Sequence, residues 1–490
     1  MQADNRFDQE GRVDCLKNFF KTIFVYFIGN VASRLVSFIL LPLYTGLVSD
    51  AEFGYHDLAI NLMTIVVSVL CIDVWTGIMR FMFDFKNIRD KRRVISTGTA
   101  MGIFSFLIFT AGYLITCQFI EIQYPFIVYL FGAGYIYYEI TSYVARGLGK
   151  NFVYVSAGLI GTVIAAVTNI VLLVFFDWQA DALILATGLS YLIPAIYIDL
   201  RVGVLRRFRL SQVSPKLMRA MYRYCLPLSI NSVSFWINSG FNRIVITQQL
   251  GSAANGQYAV ANKFTTIILL IVSVFNLAWQ EAAFSMTNEN DRGKKYTFIL
   301  KYYNRFIGCG VLLLLPVTTF LFPIMVRGDY DAARAIIPVS YLATFANTLS
   351  SFLGNIMCAE KATMTTFTSN ILGGVVSIAS IYLLIGKFGL QAAAISMLLG
   401  FVVIVIFRFF SIQKSVPIRF DISFFVPYAL MFILSSYIFY SRSIVANILL
   451  FLGLICYSIF ILRNLIRMLL IRMIHLYEKQ KRPHPGHSRH

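Results

Sequence analysis

The sequence predicts an all-α integral membrane protein with fourteen transmembrane helices. These form two six-helix lobes in parallel pseudo-repeat, followed by two C-terminal helices. Three observations predict it. The 490 residues are 58% hydrophobic and only 13% charged. A soluble protein carries roughly a quarter charged residues, so lipid must solvate most of these side chains. Apolar runs long enough to cross a bilayer recur along the whole chain, and the basic residues fall in alternate links between them.

A spanning helix needs about 20 apolar residues. That length places spans at 22–47, 57–79, 95–117, 124–145, 152–176, 182–200, 224–249, 256–279, 302–326, 335–358, 363–386, 389–413, 422–440 and 444–462. With the N-terminus in the cytoplasm, the even-numbered links also lie inside. Outside links then hold only Arg327, Arg334, Lys387 and Arg442 of the 42 basic residues, and away from their inner ends the spans hold Arg34, Arg243 and Lys263. The rest lie inside, as the positive-inside rule demands, so both termini are expected in the cytoplasm. The net charge of +19 is spread over short links such as Lys91-Arg92-Arg93 and Arg206-Arg207. It therefore reports topology and contact with anionic membrane lipids, not nucleic acid.

Seven cysteines, among them Cys15, Cys71, Cys117, Cys225 and Cys358, form no CxxC pair, so neither a metal site nor a disulfide frame is expected. GxxxxGK[ST] is absent, and no cofactor is expected. The first twenty residues are polar, and the first span is expected to serve as its own insertion signal.

A short internal repeat suggests the lobes. The first span runs into Leu47-Val48-Ser49-Asp50-Ala51-Glu52-Phe53-Gly54-Tyr55, and the seventh into Leu250-Gly251-Ser252-Ala253-Ala254-Asn255-Gly256-Gln257-Tyr258. Both copies run from inside to outside, which makes the repeat parallel and places a substrate path between the halves. The expected units are 1–210, 211–415 and 416–490, joined by the basic, Pro215-containing link 201–223.

The stretch Leu40-Leu41-Pro42-Leu43-Tyr44-Thr45-Gly46-Leu47-Val48-Ser49-Asp50-Ala51-Glu52-Phe53-Gly54 resembles the first-helix signature of polysaccharide flippases. That family belongs to the multidrug/oligosaccharidyl-lipid/polysaccharide exporter superfamily. Asp73-Val74-Trp75-Thr76-Gly77-Ile78-Met79-Arg80-Phe81 is similar to its second helix. Arg243 ahead of Leu250-Gly251, and Ala261-Asn262-Lys263-Phe264, resemble its seventh and eighth. One departure is that Trp279 is followed by Gln280-Glu281, where family members often carry Pro. The resemblance implies a bacterial cytoplasmic-membrane transporter. It would flip undecaprenyl-pyrophosphate-linked oligosaccharide to the outer leaflet for surface polysaccharides such as the O-antigen of lipopolysaccharide. A glycan polymerase or ligase is a conceivable partner. It also implies a cationic chamber between the lobes.

Charged residues inside spans usually line a cavity. Arg34, Arg243 and Lys263 fall in the outer half of the membrane. They suit a pyrophosphate, because guanidinium and ammonium donors fit phosphate oxygens. The alternative for Arg34 and Lys263 is snorkelling to the interface. Asp73 and Glu139 fall in the inner half. Asp73 either pairs with Arg80, the preferred reading, or binds H+ or Na+. Glu139 has no evident partner and is the other candidate for ion coupling. Asn231, Asn238, Asn242 and Gln248 give the seventh span a polar stripe that either faces a wet cavity or bonds helices together. Pro42, Pro227, Pro316 and Pro323 mark expected kinks.

Two transporter rivals share the superfamily. A multidrug extruder usually has twelve spans, and a lipid II flippase is the other. A membrane glycan enzyme is disfavoured, because the outside links are short and Asp329 and Asp331 are the only close outside carboxylate pair in the second half. No catalytic residue is assigned.

Overall fold

The computed structural model describes residues 35–85, 87–287 and 289–481, and its regular elements there are all helical. Among the described residues, eleven helices are long and apolar enough to cross a membrane. The chain is therefore a multi-pass membrane protein.

Of the first expected span, the apolar stretch Leu35–Leu47 is described. It turns at Leu40, and Pro42 opens α1 (Leu41–Leu47), where its missing N–H costs nothing. Ser49 then caps α2 (Asp50–Cys71) by accepting from Glu52 N, with Asp50 and Glu52 favourably placed in the positive first turn. The second expected span is not one helix. Ile72 and Asp73 both take left-handed backbone conformations, φ 51° and 46°, and α3 (Val74–Phe83) restarts beyond them. Next come α4 (Ile88–Phe119), α5 (Pro125–Gly147), α6 (Asn151–Phe175), α7 (Ala180–Val202) and the short α8 (Val204–Arg207).

The seventh expected span is likewise divided at Gly240, into α9 (Pro215–Ser239) and α10 (Phe241–Leu250). Pro227 lies inside α9. The chain continues through α11 (Ser252–Ser285), α12 (Arg292–Met325), α13 (Asp331–Ala359), α14 (Thr363–Phe388), α15 (Gln391–Gln413), α16 (Ile422–Ser441) and α17 (Ile444–Lys481). Without a proline after Trp279, α11 runs unbroken past it. Trp279 instead stacks on Phe352 at 4.3 Å and donates to its carbonyl at 3.1 Å.

The eleven spanning helices omit three of the fourteen expected ones. The first is described only in part, and the seventh is broken at Gly240. The fourth, α5, is the other: Glu139, Arg146 and five tyrosines hold down its hydropathy.

Two apolar cores organise the bundle. Met63, Trp75, Met101, Phe131, Ile184 and Met221 belong to one, built from α2 to α9. Ile246, Phe264, Leu312, Phe352 and Phe424 belong to the other, which Leu41, Tyr44 and Phe53 join from α1 and α2. The start of the chain's described part therefore packs across, onto the second core.

The repeated segments meet each other. A Cβ on Gly54 would lie 1.9 Å from Ser252 O, and one on Gly256 would lie 2.0 Å from Asp50 O. Asn255 Nδ2 donates to Gly54 O at 2.7 Å. Only glycine lets α2 and α11 cross this closely, because the obstacle is backbone on both sides. Gln179 ties the neighbouring turn to α7, bonding both Leu47 O and Ser49 N at 3.1 Å.

Candidate functional site

The helix starts just described carry polar side chains inward. One turn beyond Gly54, α2 presents His56 and Asp57. Arg243 comes from α10, and Tyr258 and Lys263 come from α11. Arg243 Nε donates to Asp57 Oδ2 at 2.5 Å, Nη1 donates to Ser239 O at 2.8 Å, and the guanidinium lies 5.5 Å from the Tyr258 ring centre. The pair is largely buried, with side chains 14% and 22% exposed, so each charge depends on its partner. Lys263 feels both Asp57 and Arg243, and also His56, but has no carboxylate within 4.0 Å among the described residues. Two cations thus share one carboxylate.

The structure brings Arg243 and Lys263 together. Arg34 lies outside the described residues. Asp57 and His56 were not anticipated. Asp57 sits at the very edge of the expected span 57–79, where a carboxylate reads as headgroup-facing.

Asp73 and Glu139 form a second locus. The expected Asp73–Arg80 pair does not exist: Arg80 pairs with Asp84, one turn on, and Asp73 Oδ2 accepts from Ser232 Oγ on α9 at 2.9 Å. The left-handed backbone at Asp73 ends the helical register on which that pairing relied. Glu139 lies in the fields of Asp73 and Arg146. Arg146 in turn lies 4.9 Å and 5.2 Å from the rings of Tyr143 and Tyr154.

The polar stripe resolves into helix bonding. Asn238 Nδ2 donates to Asn370 O at 3.0 Å, Asn242 Nδ2 donates to Ala393 O at 2.9 Å, and Asn370 Nδ2 donates to Asn231 Oδ1 at 3.2 Å. Gln248 is exposed. Beside this network lies a buried cation that the sequence hides among the basic residues around the link after α15. Arg408 is 5% exposed and bonds Ser350 O, Ser369 Oγ and Asn370 Oδ1 at 2.6, 2.9 and 2.8 Å.

Beside His56 and Lys263 opens a cavity of about 380 Å³, walled by the 35–47 stretch, α2, α5, α6 and α7, with Lys263 reaching it from α11. Tyr44, Tyr138, Tyr154 and Tyr191 line it, along with His56 and Asn169.

Residues 19–280, more than half of the chain and all of this cavity's described wall, match the polysaccharide biosynthesis protein family. The chain belongs to that family. The resemblance carried by the first-helix stretch is thereby borne out. A protein of the Lsg locus of Haemophilus influenzae is 23% identical over 266 residues, 53% of this chain. The chain spans 64% of that relative, a little under two thirds of its length.

Among solved structures, the lipid II flippase MurJ in an inward closed conformation superposes with a TM-score of 0.66 at 15% identity, covering 91% of this chain and all of that one. An inward-facing multidrug resistance MATE family transporter of the MOP superfamily gives 0.65 at 14% identity, covering 79% and 94%. An outward-facing MATE family transporter gives 0.55 at 16% identity, covering 81% and 96%. These likenesses show a shared fold, that of flippases and transporters.

Proposed function

We propose that this family member moves an undecaprenyl-pyrophosphate-linked oligosaccharide from the cytoplasmic to the outer leaflet of a bacterial cytoplasmic membrane, by alternating access, for surface polysaccharide synthesis. The observation that carries this reading is the Arg243–Asp57–Lys263 cluster. Two cations against one carboxylate leave net positive charge, and Lys263 carries it to the wall of a cavity among apolar helices. A pyrophosphate cannot cross hydrocarbon uncompensated, and arginine and lysine are the side chains that compensate it. Arg34, one residue before the described stretch, belongs to the same set in this reading.

The chain is read as fourteen spans with both termini in the cytoplasm. Its halves, 1–210 and 211–415, rock about the α2–α11 crossing, and 416–490 is appended. In that orientation the Gly54–Gly256 crossing lies at the outer end and seals it. Asp73 and Glu139, acidic and inside the bundle, are the candidates for coupling to H+ or Na+. A glycan polymerase or ligase would act on the delivered product.

Replacing Lys263 or Arg243 by Ala tests the reading. Surface glycan should be lost while the protein still inserts at normal levels. Full glycan display in both variants overturns it, and drug sensitivity without a glycan defect in a deletion strain would point to a multidrug extruder.

A further inference from the structure

The cavity's lining is too particular for an anion site alone. Among the described residues Lys263 is its cation, and the remaining wall is neutral, with tyrosines set among aliphatic, small and hydroxyl side chains. Tyr138 and Tyr191 pack edge to face at 5.3 Å, which fixes the orientation of both rings. From α6 come the small residues Gly158, Gly161, Ala165 and Ala166, together with Tyr154 and Asn169.

Two buried polar atoms are left over. Asn169 is 5% exposed; its Nδ2 donates to Tyr44 Oη at 3.1 Å, but its Oδ1 has no hydrogen-bond partner among the described residues. His56 Nδ1 is likewise buried without a partner there. Both side chains line the cavity. A buried polar atom left unpaired costs more than a made hydrogen bond returns, so the site is built for a ligand that brings polar groups.

That requirement excludes an acyl or prenyl chain, which would leave both atoms unpaired. A second cavity shows what a chain-shaped space looks like here. It measures about 430 Å³, lies between α2, α4 and α5, and is walled mostly by Leu, Ile, Val, Met and Phe. A pyranose ring has the opposite character. Its C–H face stacks on an aromatic ring, and its hydroxyl edge bonds an amide oxygen and an imidazole nitrogen.

We propose that the tyrosine-lined cavity is a subsite for one sugar ring of the transported lipid. That ring is the one next to the pyrophosphate, held between Tyr138, Tyr191 and Asn169 while Lys263 holds the phosphate end. The assignment rests on the flippase reading and makes the cavity a determinant of which glycan is carried.

The test uses the full chain in lipid nanodiscs and three probes. These are bare undecaprenyl pyrophosphate, the same lipid carrying one hexose, and the same lipid carrying one N-acetylhexosamine. Binding is read by native mass spectrometry. The wild-type protein should prefer at least one glycosylated probe over the bare lipid by about tenfold. Asn169→Leu and, independently, Tyr138→Ala should bring that ratio close to one. Lys263→Ala should weaken all three probes alike. Wild-type binding without sugar preference, or a full ratio retained in both cavity variants, overturns the subsite alone. Failure of the wild-type protein to bind any of the three overturns the flippase reading and the subsite with it.

Discussion

The crossing of α2 and α11 offers the sharpest perturbation. In Gly256→Ala the new methyl would sit 2.0 Å from Asp50 O and 2.8 Å from Asp50 C. Ordinary carbon contacts begin near 3.4 Å, so the helices must part by about 1.4 Å along that line. No flexible side chain can yield, because both neighbours are backbone. Overpacking of a well-packed contact costs about 1–3 kcal/mol. If the contact exists only when this end is shut, the shut-to-open ratio falls by about 5- to 150-fold. The assay is pulsed electron spin resonance between labels at Ala51→Cys and Gln248→Cys, both exposed positions. It would be run on a cysteine-depleted background in nanodiscs. The longer distance should dominate in Gly256→Ala and in Gly54→Ala. Gly310→Ala is the control, since a Cβ there meets nothing within 4 Å. Distance distributions in both crossing variants indistinguishable from the control would refute the reasoning.

Three further outcomes are expected. Arg408→Lys should lower stability by about 2 kcal/mol, read as a fall in the detergent melting midpoint, because an ammonium cannot bond the three oxygens on α13 and α14 as the guanidinium fork does. Asp421, in the link before α16, pairs with Arg305 at 2.7 Å and accepts from Ser423 at 2.6 Å. Burial opposes its charge, but Ser423 and Arg305 outweigh this and hold its carboxyl below the usual carboxylate range. Its contribution is therefore full above that ordinary range and is lost only as pH falls through the lowered value. Asp421→Asn should cost about 3 kcal/mol near neutral pH, and the difference from wild type should shrink in acid. Glu139→Gln should abolish stimulation of lipid transport by a pH gradient in proteoliposomes while downhill movement persists; unchanged stimulation would remove Glu139 from the coupling role.

What could be read in advance follows from what one dimension records. Apolar length and the siting of arginines and lysines gave the helical class and most helices, because both are local properties. The family was legible in the stretch from Leu40 to Gly54, whose glycine turns out to serve the α2–α11 crossing. The breaks were not legible. Ile72 and Asp73 adopt left-handed backbone without glycine, so no breaker residue marks the turn that separates Asp73 from Arg80. Nor does sequence say which way a helix faces. The asparagines of α9 and α10 could have been wet or packed, and only the carbonyls of Asn370 and Ala393 decide it. Asp57 and Arg408 were missed for a related reason: each lies near the end of a span, where charge is ordinary, and their burial is a property of neighbouring helices.

The central claim is transport of a pyrophosphate-linked glycan through this bundle. Its most direct measurement is the leaflet on which that lipid resides in cells depleted of the protein, read by labelling the glycan from outside with an impermeant reagent before and after permeabilisation. The account predicts that the lipid accumulates and is labelled only after permeabilisation. Accumulated lipid labelled equally well in intact cells would contradict it.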